Sequence, residues 1–242
     1  MNIRALATDY DGTLAWHSVV EPSTCEALAQ FRNSGRKLIM VTGREMKELF
    51  CVFNSISMFD LIVGENGGLL YWPATQKKRI LGPPPPDELV HALRERGVGS
   101  LSVGHTIIGT QEIYSGLISE TLDELGLDWH AIPNKGALML LPRNVDKASG
   151  LLAGLSELRL DPAQTAGIGD AENDFAFLDL CGLSAAVANS IASLKPRVDY
   201  VTAGSRGAGV EEFVGRIMNG ALLTQPSLPL KAPPVSNCCV SP

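Results

Sequence analysis

Four short clusters in this chain carry the residue types that do chemistry. The first is Asp9-Tyr10-Asp11-Gly12-Thr13-Leu14, which closes an apolar run over residues 3–8. Two acids at i and i+2 point the same way on an extended chain, so both carboxylates stand together at a strand's carboxyl end. Such a pair repels itself and splits its pKa values unless a cation lies between. It therefore suits a hard metal ion, or one nucleophile and one acid/base. Read alone, it is also an acid-rich turn after a strand.

The second cluster, Val41-Thr42-Gly43-Arg44, ends another apolar run and leads into a helix at Glu45. A threonine hydroxyl and free amides at a helix start form a cradle for phosphate, and equally a plain helix cap with a surface arginine. Lys147, at the head of a later helix, is a point charge able to hold a phosphoryl oxygen and to shield one carboxylate from another. Read singly, it is a solvated helix lysine. The fourth cluster, Gly167-Ile168-Gly169-Asp170-Ala171-Glu172-Asn173-Asp174, again ends a strand in an acid, with a second acid four residues on. That spacing turns Asp170 and Asp174 towards one point, as an oxygen shell for Mg²⁺ requires, and Asn173 can bind a ligand oxygen. An acidic N-cap is the plainer alternative. A dinucleotide loop is excluded, because the third glycine of G-x-G-x-x-G is missing and the glycines precede the strand end. Taken in order, the four strand ends offer acid pair, Thr/Arg cradle, lysine and acid pair, the inventory of phosphoryl transfer.

The elements that must position these groups alternate between strand and helix. Strands are expected at residues 3–8, 37–42 and 61–63, with helices opening at Pro22 and spanning 46–53, which implies parallel pairing and right-handed crossovers. A hairpin follows over 68–81, with the basic run Lys77-Lys78-Arg79 at its solvated tip. Pro83–Pro86 is a stiff entry hinge. Beyond it, helices at 87–96 and 111–125 and short strands at 101–103, 106–108, 127–132 and 137–141 make a small α+β lid. The chain then resumes its alternation with a helix at 146–158, a strand at 165–169, a helix at 172–180, a strand at 185–188, a short helix at 191–194, a strand at 200–202 and a last helix at 209–218. The expected fold class is thus α/β, a Rossmann-like doubly wound parallel sheet with an inserted cap. Residues 1–81 and 142–220 form the core, 82–141 the cap, and 221–242 a Pro-rich disordered tail or linker.

Composition narrows the function classes. The chain has 242 residues, is 45% hydrophobic and carries a net charge of −6, so it holds a sizeable core and lacks the basic stripe of a nucleic-acid binder. No apolar run suits a membrane span, and the start of the chain has no signal-peptide pattern. Of the five cysteines, Cys25, Cys51 and Cys181 read as small core hydrophobes, and no CxxC occurs. A reducing cytoplasm is the expected setting. His17, His91, His105 and His130 are too scattered for a metal site. Ser102, His105, Asn134 and Lys135 are cap polar residues in a position to face the site, with no ranking among them. Nothing in the pattern fixes an oligomeric state.

With all four clusters present, residues 3–218 resemble the haloacid dehalogenase superfamily of phosphatases, and within it the Cof-type group, subfamily IIB, whose lid follows the third strand. Glu65-Asn66-Gly67-Gly68, Val187-Ala188-Asn189 and Asp199-Tyr200-Val201-Thr202 resemble other segments of that group. The short lid is closest to those of archaeal-type phosphoglycolate phosphatases. The resemblance implies that Asp9 is the nucleophile and Asp11 the acid/base. It implies further that Asp9, the Asp11 carbonyl, Asp170 and Asp174 hold Mg²⁺, and that Thr42, Gly43 and Lys147 hold the phosphoryl oxygens, with Arg44 and Asn173 assisting. The implied substrate is a small phosphorylated metabolite, a sugar phosphate or a phosphoglycolate-like ester, cleaved through an aspartyl phosphate. Rival readings are a phosphotransferase or phosphomutase of the same fold, and a non-catalytic phospho-ligand domain of a larger ATPase-type protein.

Overall fold

The computed structural model describes residues 2–222. The tail expected over 221–242 lies outside the described residues from 223 onward, as do Cys238 and Cys239.

The chain runs β1 (Ala5–Thr8), α1 (Pro22–Asn33), β2 (Lys37–Val41), α2 (Met46–Val52), β3 (Leu61–Gly64), β4 (Leu69–Trp72) and β5 (Lys77–Ile80). There follow α3 (Asp87–Glu95), β6 (Ser102–Val103), β7 (Ile108–Gln111), α4 (Ser115–Glu124), β8 (Trp129–Asn134) and β9 (Ala137–Pro142). It ends with α5 (Lys147–Leu158), β10 (Thr165–Gly169), α6 (Phe175–Leu180), β11 (Leu183–Ala186), β12 (Tyr200–Val201) and α7 (Gly207–Met218). Among the described residues, no helix is long and apolar enough to cross a membrane.

The main sheet has eight strands in the order β12-β11-β10-β1-β2-β3-β4-β5. Strands β12 through β3 are parallel, while β4 and β5 continue the sheet antiparallel. Its central strands are buried and largely apolar, Lys37 at the start of β2 excepted, because both faces are covered. Leu6, Leu38 and Met40 pack with Phe31 of α1 and Phe213 of α7 on one side. Ala5, Ala7, Ile39 and Val41 pack with Leu151 and Leu155 of α5 on the other. The chain leaves β1 towards β2 and β3, then returns to β10 on β1's opposite side. The order therefore reverses between β1 and β10, where an open α/β sheet leaves its ligand crevice.

The second sheet, β6-β7-β9-β8, is antiparallel. Its core of Leu93, Ile108, Ile118, Trp129 and Leu140 is separate from the two cores of the main sheet. Buried Glu65, after β3, ties it down: the Thr106 amide donates to Glu65 Oε2 at 2.8 Å, and His105 Nδ1 lies 2.8 Å from Glu65 Oε1.

Several expected elements shift, each for a local reason. Thr106 is spent on Glu65, so the strand expected at 106–108 starts at Ile108 and runs on to Gln111, which pairs with Ala137. The helix expected from 111 consequently begins at Ser115. The helix expected at 172–180 opens with a 3₁₀ turn, because the Asp174 side chain folds back onto the amides of Asp170 and Ala171. No helix forms at 191–194; a 3₁₀ turn lies at Lys195–Arg197 instead, where Pro196 cannot continue an α-helical ladder. The basic run is not a hairpin tip. It is the edge strand β5 itself, where exposed lysines discourage edge-to-edge pairing. Cys51, expected in the core, is exposed because α2 buries its Met46–Leu49 face.

Candidate active site

Thr8 pairs with Ile168 across β1 and β10, so the residues that follow these strands, Asp9 and Asp170, emerge side by side. One carboxylate oxygen from each of Asp9, Asp170 and Asp174 lies within 4.8 Å of the others, and all three residues are buried. Lys147 joins them from the first turn of α5. Asp146 caps that helix in a reciprocal box with Ser149, which fixes where the lysine starts. Its ammonium donates to Asp9 Oδ1 and to Asp174 Oδ1, each at 2.6 Å. Asp174 Oδ2 accepts from the amides of Asp170 and Ala171 at 2.7 and 3.0 Å. Thr13 Oγ1 donates to Asp170 Oδ1 at 3.3 Å.

These bonds leave one acceptor over. Asp9 Oδ2 is buried and has no hydrogen-bond partner. Burial, opposed by Lys147 and reinforced by Asp174 and Asp170, pushes the Asp9 carboxyl well above its usual range. Burial and Asp174 likewise push Asp170 up against the pull of Lys135. Burial alone would lower the Lys147 pKa, but Asp174 and Asp9 more than offset it, and the lysine stays charged. Two ammonium groups, Lys147 and the Lys135 that reaches Asp170 from the second sheet, thus face three carboxylates. The deficit of positive charge, the all-oxygen donor set and the orphaned oxygen fit a hard divalent cation.

Gly12 makes this approach possible. Its φ is +85°, and a Cβ placed on it would collide with Asp170 Oδ2. Gly12→Ala is expected to cost more than about 1–2 kcal/mol, the backbone penalty alone, and to weaken divalent-metal binding. Urea unfolding with and without Mg²⁺ checks both.

The other expected residues divide. Arg44 turns away from the carboxylates and clasps Asp11, with Nε to Oδ2 at 2.6 Å and Nη2 to Oδ1 at 2.7 Å; Nη2 also donates to Ser18 Oγ at 2.9 Å. The Asp11 side chain is therefore not part of the carboxylate cluster. Thr42 is buried, and its Oγ1 accepts from the Arg44 amide at 3.1 Å. Asn173 lies beside Gly43, with its Nδ2 donating to Asn66 Oδ1 at 3.1 Å.

Two further side chains carry weight at the site, Lys135, which the sequence left unranked among the cap polar residues, and Asn66, to which it gave no role. Lys135, at the tip of the β8–β9 hairpin, reaches across to the Asp170 carboxylate, and its amide donates to Glu172 at 3.1 Å. Its signal was the Asn134-Lys135-Gly136 turn, which holds Lys135 at φ 48°. Asn66, with φ 53°, presents a buried Nδ2 that has no partner. The cleft above Asp9 and Asp11 has a volume of about 320 Å³ and is lined by Leu138 and Met139 of β9 and by Ile107, just before β7.

The sequence pattern of the haloacid dehalogenase-like hydrolases matches residues 6–95 and 101–214. The chain belongs to that family. The membership read from the sequence, a phosphatase of this superfamily, is borne out. A phosphoglycolate phosphatase of Methanothermobacter thermautotrophicus is 29% identical over 89% of this chain and 99% of its own. One from Haloarcula marismortui is 30% identical over 86% and 95%. Among solved structures, a haloacid dehalogenase-like hydrolase from Bacteroides thetaiotaomicron superposes with a TM-score of 0.77 at 19% identity, covering 89% of this chain and all of that one. A sugar phosphatase of subclass IIB superposes at 0.72 and 17%, covering 90% and 99%. Both share the fold of this hydrolase.

Proposed function

We propose that this hydrolase is a Mg²⁺-dependent phosphomonoesterase that passes the phosphoryl group of a small phosphorylated metabolite through Asp9 to water. The observation that carries the reading is the Asp9 carboxylate: one oxygen is pinned by Lys147, the other is buried and unpartnered, and two further carboxylates stand beside it. Asp9, Asp170, Asp174 and the Asp11 carbonyl would hold the cation. Once bound, it would draw negative charge off the phosphoryl oxygens and return Asp9 to its ionised, nucleophilic form.

The chain's own groups do the rest. An Asp9 oxygen attacks phosphorus in line, giving an acyl phosphate and releasing the alcohol oxygen of the substrate. Asp11 gives that oxygen its proton, then takes one from the water that cleaves the acyl phosphate. Arg44 now holds both Asp11 oxygens, so one of its bonds must open first, and an arriving phosphate is the anion that competes for it. The backbone at Gly43, the Thr42 hydroxyl and the Lys147 ammonium hold the transferring oxygens, with Asn173 alongside. The second sheet keeps bulk water from the intermediate.

Release of inorganic phosphate from an aryl phosphate should require Mg²⁺, stop with EDTA and return when the ion is restored. Mg²⁺ should also raise the melting temperature, because it binds the folded carboxylate cluster. Metal-independent turnover, or no thermal shift at millimolar Mg²⁺, would exclude this reading.

A further inference from the structure

The cleft above Asp9 is chemically one-sided. Among the described residues that line it, Arg44 is the only cation, and its Nε and Nη2 are already paired with Asp11. Glu45 and Glu48, at the start of α2, bound the same cleft. Glu45 is 7% exposed and accepts from Ser102 Oγ and, at 2.8 Å, from Lys47. Burial works to raise its pKa, but the bonds from Lys47 and Ser102 outweigh that, and Glu45 lies below its usual value, ionised at neutral pH.

The neutral polar groups that the second sheet brings to the cleft point to the same conclusion. The Ser102 hydroxyl hydrogen is spent on Glu45, and that of Thr110 on the Gly99 carbonyl at 2.8 Å. Each hydroxyl then has only lone pairs left to offer a ligand. Asn134 apart, the polar side chains that the second sheet and α2 bring to this cleft therefore present acceptors and, at Glu45 and Glu48, carboxylates. A leaving group that fits must bring donors, as an alcohol hydroxyl does. A carboxylate brings none, and it would be desolvated beside Glu45.

The other basic groups nearby are already partnered: Lys147 is held by Asp9 and Asp174. Lys135 and Arg206 line a second cleft, on the other side of Asp11 and Arg44, which does not reach Asp9. Lys135 is bound to Asp170, and the Arg206 guanidinium lies over the Trp16 ring at 3.5 Å.

The geometry points to a substrate whose leaving group is hydroxyl-bearing and free of carboxylate, its hydroxyls read by Ser102 and Thr110, with Glu45 and Glu48 rejecting acid-bearing esters. This inference rests on the phosphomonoesterase reading above. It separates the chain from the glycolate ester named for its curated relatives.

Three two-carbon esters of similar size test it: 2-hydroxyethyl phosphate, 2-phosphoglycolate and phosphoethanolamine. With Mg²⁺, kcat/KM for phosphoglycolate should fall about ten-fold or more below that for hydroxyethyl phosphate, and phosphoethanolamine should not share the loss. Glu45→Gln and, on the exposed helix surface, Glu48→Gln should each shrink the hydroxyethyl-to-glycolate ratio by about three-fold. The ratio is the readout, so a general fall in activity does not disturb it. Phosphoglycolate turned over as well as hydroxyethyl phosphate, or a ratio unmoved in both variants, overturns the inference. If an aryl phosphate is cleaved but none of the three esters is, their competition against it gives the same ratio, and the same values support or overturn the inference. An enzyme silent on aryl phosphate as well overturns the phosphomonoesterase reading itself.

Discussion

Asp9→Asn should abolish phosphate release and yet leave the metal-free protein at least as stable as its parent. The loss of activity follows from the chemistry: an amide oxygen is a poor nucleophile, and no other carboxylate occupies its position at the end of β1. A drop on the order of 10³-fold or more is expected. The stability follows from the orphaned oxygen. In the parent, burial, Asp174 and Asp170 together outweigh Lys147 and lift the Asp9 pKa. A carboxyl whose folded pKa lies above its unfolded value of about 3.9 opposes folding as pH rises through the interval between the two. Asn carries no charge to bury and still accepts from Lys147. In EDTA, the variant should therefore gain on its parent between pH 4 and 7, while the stabilisation by Mg²⁺ shrinks because one ligand has lost its charge. Urea unfolding across that range, with and without Mg²⁺, reads both effects beside the phosphate assay. Retained turnover would refute the nucleophile. A metal-free variant several kcal/mol less stable than its parent would refute the picture of Asp9 as an unsatisfied charge.

The readable part of this site was the part set by strand ends. Asp9 and Asp170 end apolar runs, and one rule, ligands at the carboxyl ends of parallel strands, places both. The adjacency of β1 and β10 follows from the reversal of strand order after the inserted sheet. What the sequence did not disclose depends on side-chain direction. Arg44 sits in a Thr-Gly-Arg cradle that suggests phosphate, but its guanidinium finds a bidentate carboxylate in Asp11, a partner 33 residues away. Lys135 could not be ranked above the other cap polar residues, because its contact with Asp170 exists only once the β8–β9 hairpin stands over the main sheet. Thr106 reads as a strand residue until Glu65, at a positive φ after β3, claims its amide. In each case local propensity was answered by a tertiary contact distant in sequence, and such contacts leave no periodic trace. Asn66 and Asp9 belong together in another respect: each has one buried polar atom without a partner. Among the described residues Ser190 Oγ and Arg206 Nε are also unpartnered, but the atoms of Asp9 and Asn66 are the two beside the proposed site, where a cation and a phosphoryl group would supply the missing bonds.

Lys147→Ala is expected to be the most destabilising single change at this site. The ammonium is 1% exposed and forms two 2.6 Å ion pairs with side chains that are 6% and 0% exposed. Removing one partner from a buried ion pair costs about 3–5 kcal/mol, because the charge left behind cannot recover its water. Here the change strands two carboxylates, next to a third. A carboxylate buried without its cation titrates above its usual range, so its cost is absent below the ordinary carboxylate pKa of about 4 and grows as pH rises. The gap in unfolding free energy between parent and variant should be small near pH 4 and widest at pH 7–8. Mg²⁺ should narrow it, since a cation on the cluster restores part of the missing charge. Lys77→Ala, on the exposed edge strand, should show neither the gap nor its pH dependence. Activity should vanish with Lys147 at every pH, because the lysine also holds a phosphoryl oxygen in the proposed mechanism, so stability regained in acid or with Mg²⁺ should not bring turnover back. A gap that is flat with pH would mean that the lysine contributes packing rather than charge. Turnover that returns with stability would confine it to a structural part.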